Sequence, residues 1–337
     1  MKAALFTILA TLSACLAHEG HKHGAGVGKV VTTATATGAK GHRYVTMPGW
    51  GAMPGGKDMG RLHGDLTLDA AGNVYVSALG GPGILKFDQF GRFERTLRPG
   101  LSGMHSLTTV KEGDREFIWG SQYGKNRAVK FDLAGNIVDI LPNQKTGEVP
   151  GGMKGLTELL VGPKGDIYFF MGYGSKMIHR LKPDGTLVKS AGGAGSGEMQ
   201  FKACHGAAVD LRYDEPRLLV CDRDGRRMMH VSMDLEWIGL YGPQPLRRPA
   251  DVDVRGDLAV VADIEGRAVL MDKEGKIVSK LLDNPDKKQW ATPKVPAHQL
   301  YDAALSSPHG IKFGHQGQIY VHEWTNVGRI VALYPIQ

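Results

Sequence analysis

Cysteine is nearly missing from this chain: Cys15, Cys204 and Cys221 are the only three in 337 residues. That excludes the disulfide framework that staples small secreted domains, so the core must hold by packing. Aromatic residues are sparse at 7%. No apolar run approaches the roughly 20 residues needed to span a bilayer as a helix. Runs of one charge are also missing. The 41 Lys and Arg against 34 Asp and Glu leave a net charge of +7, but the basic residues are scattered, and without a basic stripe to track phosphates no nucleic-acid partner is expected.

The N-terminus carries one short apolar stretch, residues 3–12, after Met1-Lys2 and before Ser13-Ala14-Cys15. A charged start, a short apolar run and small residues mark an export signal over residues 1–17. Leu12-Ser13-Ala14-Cys15 also resembles a bacterial lipobox, which makes Cys15 a candidate for lipidation. Cleavage after Ala17 would instead release a soluble chain. The expected location is periplasmic or lipid-anchored, with that anchor the only membrane contact. Residues 18–41 are rich in histidine and glycine, including His18, His21 and His23, and are expected to form a disordered linker.

Glycine is abundant, with 47 residues, as suits many short strands joined by tight turns. A repeat organises them. Leu66-Thr67-Leu68, a turn at Gly72, Val74-Tyr75-Val76, then Ile84-Leu85-Lys86-Phe87 and a second turn at Gly91 form one unit. Further copies run over 104–140, 155–190, 204–239, 248–280 and 308–336. The closing turns Gly91, Gly135 and Gly185 lie 44 and 50 residues apart, the spacing of four-stranded propeller blades. The pattern predicts an all-β, six-bladed β-propeller of NHL-like repeats over residues 42–337. The last copy holds three strands, 310–313, 319–324 and 329–334, so residues 42–47 are expected to supply its outer strand and close the ring.

The innermost strand of each blade lines the axis, and its first residues sit at the channel mouth. At that position the blades carry Gly64, His105, Thr157, His205, Pro249-Ala250 and His309 in turn. Blades stand about 60° apart, so the histidines of blades 2, 4 and 6 converge from directions about 120° apart. Three imidazoles on one point form an open metal site, most suited to zinc, although iron and copper also accept such ligands. Glu158 is a candidate for orienting a ligand or for a solvated surface group. Strand alternation turns Cys204 away from the axis, and a Cys204–Cys221 pair would be diagonal and too far apart for a disulfide. His63, His322 and Glu323 are expected to be polar groups near the surface.

Gly197-Glu198-Met199-Gln200-Phe201, Cys204-His205-Gly206, Cys221-Asp222-Arg223-Asp224-Gly225-Arg226, Met104-His105-Ser106-Leu107 and Ser307-Pro308-His309 resemble the peptidyl-α-hydroxyglycine α-amidating lyases over about residues 60–337. Those are propellers with a zinc held by three histidines. The resemblance implies His105, His205 and His309 as ligands, Tyr173 as the base and Arg223 as an active-site arginine. It also implies cleavage of a carbinolamide C–N bond to an amide and glyoxylate. Ala78-Leu79-Gly80 stands where the family has a second arginine, and Gly310 replaces a calcium-binding aspartate, so no calcium is expected. The partner is then a small molecule or peptide, and the chain a monomer. The alternatives are a metal-dependent lyase or hydrolase acting on a sugar or lactone, and a non-catalytic propeller that binds a protein or glycan. Three axial histidines favour an enzyme.

Overall fold

The glycine turns fold as the repeat requires. Gly72, Gly91, Gly135, Gly165, Gly185, Gly275 and Gly317 all adopt φ between +83° and +91°, a conformation that side chains with a Cβ rarely tolerate. Between them lie only short strands. The computed structural model describes residues 29–79 and 83–337. The export signal, Cys15, the His18–His23 patch and Gly80 fall outside those residues. Among the described residues there is no α-helix, and no helix is long and apolar enough to cross a membrane.

Six antiparallel sheets form the six expected blades. Their innermost strands are Leu66–Leu68, Met104–Glu112, Glu158–Val161, Cys204–Asp210, Pro249–Arg255 and Pro308–Phe313. Each neighbours the next around a central axis, and the sixth returns to the first. The core is correspondingly divided into apolar clusters at the blade boundaries. Leu160, Phe170 and Ile178 of blade 3 pack on Leu218 and Val231 of blade 4, and Tyr320 and Ile330 of blade 6 pack on Leu66 and Phe87 of blade 1. Burial of this surface between blades joins them into one body.

Ring closure follows the expected route and goes one strand further. His42–Thr46 pairs antiparallel with Arg329–Ile336, setting Arg43 opposite Ile336 and Thr46 opposite Leu333. Ala36–Ala39 then pairs outside it, so blade 6 has five strands. This corrects the expectation that the disordered linker reaches residue 41. Glycine content misled there, because Gly41 makes the hairpin turn with φ +84°. The added strand is also bound to blade 5: Ala39 N–H donates to Ser279 Oγ at 2.9 Å and Leu282 N–H to Thr37 Oγ1 at 2.9 Å.

Candidate metal centre

A β-bulge aims each axial histidine. In blade 2 the ladder steps from Met104 opposite Gln122 to Ser106 opposite Ser121, leaving His105 unpaired. The same slip leaves out His205 between Cys204 and Gly206, and His309 between Pro308 and Gly310. An extra residue in one strand re-aims its side chain, and here all three turn inward. The ring centroids of His105, His205 and His309 form a nearly equilateral triangle with sides of 4.8, 4.8 and 4.9 Å.

The following blade fixes each ring. Nδ1 of His105 is 2.8 Å from the Thr157 carbonyl oxygen, Nδ1 of His205 is 2.8 Å from that of Ala250, and Nδ1 of His309 is 2.8 Å from that of Gly64. A carbonyl oxygen can only accept, so each Nδ1 carries the proton and each Nε2 presents a lone pair. Burial, with neighbouring positive charges, holds the pKa of all three well below the ordinary histidine value. Neutral imidazoles with free Nε2 atoms around one axial cavity suit a divalent transition metal. His309 Nε2 in particular is buried with no hydrogen-bond partner.

Tyr173 and Arg223 stand over the triangle. The Tyr173 hydroxyl is 2.8 Å from His205 Nε2 and 3.4 Å from His105 Nε2, and accepts from Arg223 Nη1 at 2.8 Å. Arg223 is itself held by Asp224, with Nε 3.1 Å from Oδ1 and Nη2 3.2 Å from Oδ2. Burial raises the phenol's pKa above its usual value while the guanidinium opposes the rise. Tyr123 adds a further wall, 5.5 Å from the Tyr173 ring.

His63 is not the surface group expected from its place before a strand. It is half-buried, with ring centroids 5.0 Å from His105, 4.8 Å from His309 and 5.4 Å from Trp324. His63, His105 and His309 form a group that could hold a metal ion, their ligand nitrogens all within 4.8 Å of one another. Burial lowers the His63 pKa to about 4, helped by His322, Arg223 and Arg61.

Glu158, His322 and Glu323 are also buried. Glu158 orients no histidine, since all three Nδ1 atoms donate to backbone carbonyls. It belongs instead to a set of carboxylates from the odd-numbered blades, with Asp65 and Asp251, lining the same axial cavity as the three histidines. Lys312 Nζ lies 3.1 Å from both Asp65 Oδ2 and Asp251 Oδ2. Burial raises Asp65 to about 7, against Lys312 and with Asp251, and raises Glu158 well above the carboxylate range. Burial works against the Lys312 ammonium too, but Asp251 and Asp65 outweigh it and hold its pKa high. His322 Nε2 lies 3.1 Å from the Ser77 carbonyl. Glu323 is paired with Arg329 and accepts from the Ser306 and Ser307 amides at 2.6 and 3.1 Å. Cys204 and Cys221 are buried free thiols, and Cys204 Sγ faces the Met177 carbonyl rather than the axis.

No family model matches the chain, and no curated relative does. Solved structures do. A streptogramin B lyase is 17% identical with TM-score 0.50, covering 90% of this chain and 93% of its own. A catalytically inactive histidine-to-alanine variant of virginiamycin B lyase from Staphylococcus aureus, with quinupristin, is 16% identical with TM-score 0.52, covering 95% and 99%. A gluconolactonase from Xanthomonas campestris is 13% identical with TM-score 0.62, covering 93% and 98%. The likeness is one of fold. None of the three is an amidating lyase, and at these identities they establish the six-bladed propeller and nothing finer about substrate.

Proposed function

We propose that this chain is a metal-dependent lyase whose ion is held by His105, His205 and His309 and whose proton-transfer group is Tyr173. The observation that carries the reading is the set of three Nδ1–carbonyl bonds, each 2.8 Å, which leaves three Nε2 atoms unprotonated on rings that line one axial cavity beside the Tyr173 hydroxyl. Zinc suits three imidazoles, and when bound it would supply Lewis acidity toward a substrate oxygen.

The remaining chemistry belongs to the protein. On a carbinolamide, Tyr173 as phenolate takes the hydroxyl proton, the C–N bond breaks, and the nitrogen gains a proton, so amide and glyoxylate form with one proton moved from oxygen to nitrogen. The Arg223 guanidinium, 2.8 Å from the phenol oxygen, stabilises the phenolate and opposes the effect of burial. Asp224 fixes the direction of that guanidinium.

A second reading, lactone or sugar-ester hydrolysis at the same metal, is favoured by one observation. Ala78 and Leu79 stand where the amidating lyases that the sequence resembles carry a second arginine, which weakens the case for a glycine-derived carboxylate, although Arg61 lies on the same side, its carbonyl accepting from Leu79 N–H at 2.9 Å. For either chemistry we expect a small molecule or peptide as partner and an exported monomer. The test is elemental analysis of wild type beside His205→Ala, followed by glyoxylate release from an α-hydroxyglycine peptide and by a lactone panel. One metal per chain, lost in the variant, with glyoxylate only from wild type, supports the lyase. Metal with lactone hydrolysis alone moves the assignment to the second reading, and a metal-free wild type refutes both.

A further inference from the structure

Among the described residues His63 makes no hydrogen bond comparable to the backbone bonds that hold the other three imidazoles, yet it is half-buried against two of them. Its centroid distances to His105 and His309, 5.0 and 4.8 Å, match the spacing within the triangle itself, 4.8–4.9 Å. Its ring nitrogen shares a 4.8 Å envelope with theirs. Nitrogens each about 2.1 Å from one tetrahedral ion stand about 3.4 Å apart, so the 4.8 Å envelope closes by up to about 1.4 Å to bring all three on to one ion. The residue precedes Gly64, whose carbonyl anchors His309, so backbone and side chain of neighbouring residues serve the same centre.

The geometry points to His63 as a fourth protein ligand of the metal centre. This rests on the metal reading proposed above. It assigns the approaches to the ion: His63 covers the edge between His105 and His309, while the edge between His105 and His205 carries Tyr173 and Arg223. The side left for a substrate oxygen is then the one where the proton acceptor stands, and the His63 side is closed to it.

The experiment loads the full chain with cobalt(II) and compares wild type, His63→Ala and His205→Ala by metal stoichiometry, chelator competition and the visible d–d spectrum. The expected result is one cobalt per chain in wild type. His63→Ala should bind roughly 10–100-fold more weakly, with shifted d–d bands that added imidazole restores. Wild-type affinity and an unchanged spectrum in His63→Ala overturn the inference while leaving the three-histidine site intact. A wild type that binds no cobalt overturns the metal reading itself, a different result. Should the alanine variant not fold, His63→Gln gives the same comparison.

Discussion

Lys312 is the one cation between two buried carboxylates, and replacing it by methionine isolates what that charge contributes. Methionine keeps most of the apolar stem, so the loss is chiefly electrostatic. Nζ lies 3.1 Å from both Asp65 Oδ2 and Asp251 Oδ2, and both acids are 3% exposed. Removing one partner of a buried pair costs about 3–5 kcal/mol. Here Asp65 can escape by taking a proton, since its pKa is already raised to about 7, so the lower end, about 3 kcal/mol, is expected near neutral pH. For proteins of 150–250 residues each kcal/mol moves Tm by about 2–4 °C, so a fall of roughly 6–12 °C, nearer the lower end for a chain of 337 residues, should be seen in the metal-free protein. The pH dependence has a definite sign. A carboxyl whose folded pKa lies above its unfolded value lends stability below the unfolded value, and loses it as pH rises through the folded one. At pH 5 Asp65 is largely neutral and does not need Lys312; at pH 8 it is ionised and does. The gap in Tm between wild type and Lys312→Met, measured by thermal unfolding, should therefore be wider at pH 8 than at pH 5. A gap below about 2 °C at pH 8, or one that widens on acidification, would refute this account.

Tyr173→Phe removes one hydroxyl from over the triangle and should retain the metal while lowering kcat by roughly 10²–10⁴-fold; elemental analysis beside turnover checks both halves. Gly310→Ala should destabilise the fold by about 1–3 kcal/mol, because a Cβ there would stand 2.4 Å from Asp65 Oδ1 and 2.9 Å from its Cα; denaturant unfolding measures it.

The architecture was legible because a propeller writes its period into the chain. Turn glycines recur at fixed offsets, and the strand starts then fall into register without reference to space. That register pointed to His105 and His309; blade 4 has a longer turn, and His205 followed from its strand start. Two features escaped it. His63 lies before the blade-1 inner strand rather than at the aligned position, so only three-dimensional proximity relates it to the others. The carboxylates did leave a signal: the residue after each aligned position reads Asp65, Ser106, Glu158, Gly206, Asp251 and Gly310, acidic and small in alternation, out of phase with the histidines. Gly310 stood out as the loss of an aspartate, but its smallness is what the approach of Asp65 requires. The strand at Ala36–Ala39 was hidden for another reason, since its stability comes from hydrogen bonds to Ser279 and Leu282, more than 200 positions away.

Each ligand's aim is set by the blade after its own: blade 3 holds His105, blade 5 holds His205, and blade 1 holds His309. The last of these struts joins the C-terminal blade to Gly64 at the start of blade 1, 245 positions earlier. An arc without blade 1, 3 or 5 keeps all three histidines but loses the carbonyl that anchors one of them. On the metal reading proposed above, the complete site exists only in the closed ring.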